Sequence, residues 1–322
     1  MQREIKQPEK KRKLNLNVSN MKLLVLILSL FTSVYGQGII IDHNCIDVLQ
    51  IQPSVIDDVK ANIRFQWCGQ SHSGQIPCGL EVLEGLYPQF NSQVQEMVLP
   101  TVQDAMNVYI GNQGFDAPGQ CCTSITPQGY WQGAGAEWTA DLLAYNPTLN
   151  VSGFLWCWQL ESNNAAYVQS YLTQMELFEA TYPNVTFVYT TNNAQAYYES
   201  GITRATNNAI IRNYCITHNK VLFDFEDLDS WYNGEQHTDT YNGVTYPVQH
   251  DAYNGSSECG HVNSLGRETK ARAIWWMMAM IRGWNPNGFN HVLWSQQAGM
   301  SGVGLGADYN NDGQVNNKDK ND

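Results

Sequence analysis

Two short stretches of this chain carry side chains of the kinds that acyl-transfer chemistry requires. The first is Gly69-Gln70-Ser71-His72-Ser73-Gly74, in which a glycine at each end permits a tight turn. A serine on such a turn can expose its hydroxyl while neighbouring backbone amides point at a developing oxyanion. The segment therefore offers Ser71 as a nucleophile. The alternative interpretation is a Ser/Gly-rich loop without a catalytic role.

The second stretch places a carboxylate, Glu258, three residues before a histidine, His261. A carboxylate at that spacing can turn back and bond one ring nitrogen, which fixes the tautomer and leaves the other nitrogen free as a general base. The pattern predicts half of a catalytic triad. In the alternative interpretation, His261 is a surface histidine at a helix start and Asn263 caps the helix.

Other polar residues near these stretches are secondary candidates. Side-chain amides follow the apolar run that ends at Trp156 and could donate to an oxyanion. His72 could act as a base, but neighbouring side chains on a turn usually diverge, so we expect it to shape the substrate cleft. Asp224 could replace Glu258 as the acid, although a structural carboxylate is the simpler interpretation. The amides in question are Gln159 and Asn163.

The framework that positions these residues is predicted from the alternation of short apolar runs with longer helical patterns. This alternation is typical of a parallel sheet flanked by helices. Ligands bind beyond the carboxyl ends of the strands in such sheets, which is where Ser71 and the amides fall. The Trp/Met-rich last helix is predicted to pack in the core. We predict strands at 62–67, 151–156, 185–190 and 221–225 and a last helix at 268–281.

In their order along the chain and their placement relative to the predicted strands, these segments resemble the SGNH/GDSL hydrolase superfamily of secreted esterases and lipases. Gly69-Gln70-Ser71 is similar to the Gly-Gln-Ser turn found among its carbohydrate acetyl esterases. His261-Val-Asn263-Ser-Leu-Gly266 is similar to the segment that carries the family's histidine. The resemblance covers roughly residues 62–284. It implies an α/β fold, a three-layer sandwich with a central parallel sheet.

The resemblance also implies residue roles and a substrate. Ser71 would be the nucleophile, His261 the base and Glu258 the acid. The expected substrate is an acyl ester, most simply an acetyl ester on carbohydrate, and the implied reaction needs no cofactor. The oxyanion donors would be the Ser71 amide and further amides drawn from Gly135, Gln159 and Asn163.

Two departures from the family pattern leave parts of this scheme open. Glu258 stands where aspartate is usual, a change that triads tolerate. Trp156-Cys157-Trp158-Gln159 occupies the place of the family's Gly-x-Asn block, so the identity of the amide donor is unsettled.

The nucleophile turn of the α/β-hydrolase fold is disfavoured, because it requires Gly-x-Ser-x-Gly and this chain has Ser73 in place of the second glycine. The alternative function is a non-catalytic secreted protein that binds calcium or carbohydrate.

The end of the chain carries a second motif. Oxygen-bearing side chains stand at positions 1, 3, 5, 9 and 12 of a loop that starts at Asp308, with Gly313 at position 6. This spacing wraps oxygens around a calcium ion. Aspartate at position 12 resembles the dockerin-type half repeat, which implies a cohesin-like partner. The predicted ligands are Asp308, Asn310, Asp312, Gln314, Asn316 and Asp319.

Charge and the amino-terminal residues indicate where the protein works. The 322 residues carry a net charge of −12, which argues against a nucleic-acid partner. Residues 22–36 combine a lysine, an apolar run and small residues, which is typical of a secretory signal peptide; Met1 and Met21 are alternative starts. The run is short for a stable membrane anchor. We therefore expect a leader at 1–36, a hydrolase domain at 37–300 and a linker with the calcium loop at 301–322.

All eight cysteines follow the predicted leader. An even number of cysteines in a secreted chain predicts disulfides, although their pairing cannot be deduced from the spacing. Cys157 lies inside an apolar run, and for it a buried free thiol is the alternative to a disulfide.

Overall fold

A computed structural model describes residues 38–111, 125–255 and 259–286 of the chain. Its centre is a sheet of seven parallel strands in the order β1-β7-β6-β5-β2-β4-β3. The strands are β1 (Ile40–Ile41), β2 (Arg64–Gly69), β3 (Ser92–Glu96), β4 (Met106–Ile110), β5 (Val151–Leu155), β6 (Thr186–Thr190) and β7 (Val221–Phe223).

Helices cover both faces of this sheet, and each face has its own apolar core. Phe65 and Trp67 of β2 point into one core, and Cys68 points into the other, as the alternation of a strand requires. The fold is therefore the predicted α/β three-layer sandwich. The described helices are α1 (Pro53–Asn62), α2 (Gln75–Leu86), α3 (Pro127–Tyr130), α4 (Gly135–Tyr145), α5 (Gln159–Ser162), α6 (Ala165–Thr181), α7 (Tyr198–Thr217), α8 (Phe225–Ser230) and α9 (Ser264–Ile281).

The first core contains residues of α1, α2 and α9, and the second contains residues of α4, α6 and α7. Trp275, Trp276, Met277 and Met278 of α9 are buried, which confirms the prediction that this helix packs in the core. The helix begins at Ser264, earlier than predicted, because the Asn263 side chain accepts a hydrogen bond from the Gly266 amide at 3.0 Å.

The order of the strands creates a switch point beside β2. The chain leaves β2 for β3 and β4 on one side of it, whereas it leaves the neighbouring strand β5 for β6 on the other side. In open α/β sheets, ligands bind beyond the carboxyl ends of the strands at such a switch point, which here lies between β2 and β5.

Of the seven strands in this sheet, the four predicted ones are present, and the other three were not predicted. β3 has the sequence Ser-Gln-Val-Gln-Glu, and such a polar strand at the sheet edge has no apolar pattern to recognise. β1 is only two residues long. β4 is a short apolar run between loops.

Two hairpins follow α8: β8 (Trp231–Tyr232) with β9 (Glu235–Gln236), and β10 (Thr238–Tyr241) with β11 (Val244–Pro247). Asn-Gly pairs form both turns, with positive φ at each residue, as tight hairpins prefer. Within the described ranges, no helix has the length and apolar character needed to span a membrane. The predicted leader and the calcium loop lie outside those ranges.

Candidate active site

Ser71 follows β2 directly at the switch point. A short 3-10 helix runs over Ser71–Gly74 before α2 begins. A Cβ atom at Gly69 would lie 2.5 Å from the carbonyl oxygen of Leu155 in β5, so glycine is needed there. The Ser73 hydroxyl closes the turn by donating to the Gln70 carbonyl at 2.6 Å. This close packing brings Ser71 beside the chain that leaves β5.

The sulfur of Cys157 lies at the centre of a polar cluster. Ser71 Oγ is 3.4 Å from this sulfur, and His72 Nδ1 is 3.2 Å from it. The side chains of Ser71 and His72 thus converge, and the expectation that they diverge is wrong, because Cys157 reaches toward both from the end of β5. Cys157 is a half-buried free thiol, and burial raises its pKa.

The other nitrogen of His72 is held by an amide. His72 Nε2 lies 2.8 Å from Gln195 Oε1, while Gln195 Nε2 donates to Gln249 Oε1 at 2.6 Å and to the His261 carbonyl at 3.3 Å. Because Gln195 presents its oxygen to the ring, Nε2 carries the proton and Nδ1 is left as an acceptor. Burial lowers the pKa of His72, so the ring is neutral at physiological pH.

The segment that carries His261 lies at the same edge of the sheet. A disulfide joins Cys78 of α2 to Cys259, and Gln75 Nε2 donates to the Gly260 carbonyl at 2.7 Å. These links place the His261 ring 4.9 Å from the His72 ring, between centroids. His261 is exposed and adopts a positive φ of 68°. The structure therefore brings together the two stretches that the sequence singled out.

Glu258, the predicted acid partner of His261, lies outside the described residues, in the gap at 256–258. Within the described ranges, no hydrogen bond holds the His261 ring. Asp224, the second candidate acid, is bound through both oxygens to Arg212 at 2.5 and 2.7 Å and accepts from Thr191 Oγ1 at 2.9 Å. Asp224 is a structural carboxylate.

The three predicted oxyanion donors lie in different surroundings. Gln159 is buried, donates to Gln70 Oε1 and accepts from the Cys157 amide at 2.8 Å. Asn163 donates to the Gln159 carbonyl at 2.7 Å, at the end of α5. The Gly135 amide donates to the Gln132 carbonyl at 3.1 Å, in the turn before α4. Of the three, Gln159 contacts the Ser71 turn and the end of β5.

Sequence reasoning missed the residues after β6. The Asn193 side chain donates to the Cys157 carbonyl, and its oxygen accepts from the Gln195 amide at 3.0 Å. A buried ion pair supports this loop: Asp229 accepts from the Ala194 amide at 3.0 Å and lies 2.5 Å from Lys270 Nζ. The polar residues after the predicted strand at 185–190 could have been singled out. Like Ser71, they follow the carboxyl end of a strand in a parallel sheet, where ligands bind.

A cleft of about 620 Å³ borders His261. Three side-chain amides and the aromatic ring of Tyr197 line it with the histidine, and none of the described residues that line it has an aliphatic side chain. Such a lining suits a ligand rich in hydroxyl groups. The lining residues are Gln195, Tyr197, Gln249, Asn254, Gly255 and His261.

A second cleft, of about 540 Å³, lies near the end of β1 and includes His43 and Trp231. In the described part of the chain, Asp42, His43 and Asp227 form the one group of three that could hold a metal, with ligand atoms within 4.8 Å of one another. His43 Nδ1 is already 2.6 Å from Asp227 Oδ1, and the ring stacks on Trp231 at 4.1 Å. These contacts explain the cluster as a clamp between β1 and α8.

Comparison with known proteins gives only distant likenesses. No protein-family model matches this chain, and the curated proteins contain no match. Among solved structures, it is similar to a protein of Desulfitobacterium hafniense DCB-2 that is assigned provisionally to the G-D-S-L family of lipolytic proteins. The TM-score is 0.40 at 12% identity, and the match covers 67% of this chain and 99% of the other. TubZ of Clostridium botulinum phage c-st gives a TM-score of 0.28 at 15% identity, over 51% and 52% of the two chains. Neither likeness is close enough to carry an argument about function.

Proposed function

We propose that this chain is a serine hydrolase that cleaves esters, with Ser71 as nucleophile and His261 as general base. One observation carries the proposal. Ser71 lies in the tight turn that follows Gly69, at the switch point of a parallel sheet. The Cys78–Cys259 disulfide links the His261 segment to α2, the helix that follows this turn. Two stretches remote in sequence are thus held at one ligand-binding edge.

The mechanism follows from these roles. His261 takes the proton of Ser71 as the hydroxyl oxygen attacks the ester carbonyl, and water later releases the acyl group. Glu258, three residues before His261, orients the imidazole. The Ser71 amide and the Gln159 side chain serve as oxyanion donors, with Gln159 exchanging its bond to Gln70 for one to the substrate. Loss of one such donor should slow turnover roughly a hundredfold, or about 3 kcal/mol.

The cleft beside His261 supports a carbohydrate ester as substrate. Its amide side chains can bond sugar hydroxyls, and the Tyr197 ring can pack on a sugar face. Trp158, next to Cys157, is 55% exposed and offers a second aromatic surface. The described lining offers no aliphatic side chain to the long acyl chain of a lipid, which favours a small acyl group, most simply acetyl.

The proposal also includes secretion and calcium binding. The Cys78–Cys259 disulfide supports a secreted protein, because such bonds persist in oxidising compartments. The oxygen spacing of Asp308–Asp319 supports a calcium site, and its dockerin-like pattern supports a cohesin-like partner. Truncation after Gly306 should abolish calcium uptake in a titration; unchanged uptake would place the site elsewhere.

The catalytic proposal is tested with p-nitrophenyl acetate. Ser71→Ala should lower turnover by about 10³-fold or more, and His261→Gln should act similarly. Ser170→Ala and His218→Gln are matched controls and should leave the rate unchanged, because both side chains are exposed and bond to the backbone of their own helices, at Ala166 and Tyr214. Equal rates for wild type and Ser71→Ala would remove the serine mechanism, and no rate above background in either protein would favour a non-catalytic binding protein.

A further inference from the structure

Cys157 has no part in the serine mechanism, yet the site is built around its sulfur. His72 Nδ1 is 3.2 Å away, and the His72 ring is only 8% exposed. A buried imidazole loses solvation, and the thiol is the partner that the structure gives to Nδ1. The pair is therefore a thiol in contact with a base, rather than an isolated cysteine.

The hydrogen-bond network fixes which ring nitrogen of His72 carries the proton. Gln249 Nε2 donates to Asn254 Oδ1 at 3.1 Å, so its oxygen faces Gln195 and the oxygen of Gln195 faces His72. This order keeps the proton of His72 on Nε2 and leaves the lone pair of Nδ1 toward the sulfur. A nucleophile, a base and an amide that orients the base form the same arrangement of roles as a Cys-His-Asn triad.

We propose that Cys157 is a second nucleophile of this site, with His72 as its general base and Gln195 as the residue that positions the base. It takes acyl groups and other carbon electrophiles on sulfur. The inference rests on the proposed function only for the acyl substrate, because the thiol and its base are present whatever Ser71 does. Ser71 Oγ and Cys157 Sγ are 3.4 Å apart, so a carbonyl carbon that reaches one can reach the other.

The reaction with an ester balances without an oxidant or reductant. The thiol proton passes to His72 Nδ1 as the sulfur attacks the carbonyl carbon and forms a carbon–sulfur bond. The carbon–oxygen bond to the leaving alcohol then breaks, and His72 returns the proton to that oxygen. The products are a thioester on Cys157 and the free alcohol.

The other described free thiols lack this arrangement. Cys68 and Cys215 are fully buried. Burial raises the pKa of Cys45 to about 12 and also raises that of Cys157, but the Cys45 sulfur contacts the Ile40 carbonyl and an oxygen of Asp42 rather than a base. Asp42 disfavours the thiolate further. Cys45 is thus a half-buried control within the chain, and Cys68 and Cys215 report whether the fold is intact.

The test uses the full chain with Ser71→Ala, so that serine cannot take the acyl group. The protein is treated with p-nitrophenyl acetate, quenched in acid, digested and mapped by mass spectrometry. We expect acetyl on Cys157 at least about tenfold faster than on Cys45, and none on Cys68 or Cys215. Adding His72→Gln should slow acetylation of Cys157 by about a hundredfold and leave Cys45 unchanged.

Gln195→Leu provides a second variant, because it keeps the imidazole and removes only its orienting amide. It should slow acetylation of Cys157 about tenfold. The inference is overturned if Cys157 and Cys45 are acetylated at equal rates. It is also overturned if either His72→Gln or Gln195→Leu has no effect on Cys157 in protein that still protects Cys68 and Cys215. Failure of the serine mechanism is separate: wild type would then show no acetyl on Ser71, whatever happens at Cys157.

Discussion

The buried ion pair between Lys270 and Asp229 gives the sharpest test of how the site is supported. Both side chains are fully buried, with Nζ and Oδ1 2.5 Å apart, and Asp229 also accepts from the Ala194 amide, next to Gln195. We predict that Lys270→Met destabilises the protein strongly, because it leaves the Asp229 carboxylate buried without a counter-charge.

The magnitude follows from the distance and the burial. With an effective dielectric constant of about 20, the attraction across this distance is about 6 to 7 kcal/mol, and desolvation of the two ions offsets most of it. Removing one partner exposes the desolvation cost of the other, so we expect a loss of about 3 to 5 kcal/mol. Lys270→Met with Asp229→Asn should recover most of the loss, because the asparagine keeps an acceptor for Ala194.

Urea unfolding measures this prediction, and Arg282→Met is the matched control. Arg282 and Asp58 are 2.6 Å apart, but their side chains are 35% and 36% exposed, so losing that pair should cost about 1 kcal/mol or less. Burial does not set the contribution of the ion pair if Lys270→Met loses no more stability than Arg282→Met. Folded Lys270→Met protein should also acetylate Cys157 more slowly, because the loop that holds Gln195 loses its support.

Three further predictions concern the elements that assemble the site. Gly260 has a φ of 71°, and a Cβ there would lie 2.3 Å from Gln75 Cγ, whereas Gly243 has a φ of 79° and open space around it. Gly260→Ala should therefore lower both stability and esterase rate, while Gly243→Ala should cost about 1 kcal/mol with an unchanged rate; equal effects would mean that the clash is relieved. Cys78→Ala with Cys259→Ala removes a disulfide that spans 181 residues. The free energy of unfolding, measured in urea, should fall by about 2 to 5 kcal/mol. The esterase rate should fall as well, because His261 is no longer tethered. Burial lowers the pKa of folded His72 below its ordinary 6.5, so the unfolded chain binds the proton more readily and stability should fall as pH drops below about 6.5. His72→Gln should flatten that part of the pH profile; an unchanged slope between pH values of about 5 and 7 would contradict the assignment.

The sequence alone determined the class of fold and the positions of its chemical groups along the chain. Apolar runs alternating with helical patterns predicted a parallel sheet, since these periodicities are local properties. Glycines around Ser71 marked a turn, and the residues near His261 marked a helix start, which Asn263 caps. The edge strand β3 was not predicted, because its polar sequence has no apolar face.

Tertiary structure alone decided which groups meet. The sequence placed Cys157 inside an apolar run, and nothing in the sequence singled out Gln195. They contact His72 because β2, β5 and β6 place their carboxyl ends side by side, an order that no local pattern encodes. The pairing of Cys78 with Cys259 depends on the same arrangement. Periodicity and turn chemistry act over a few residues, whereas convergence of side chains depends on strand order and on packing across the whole sheet.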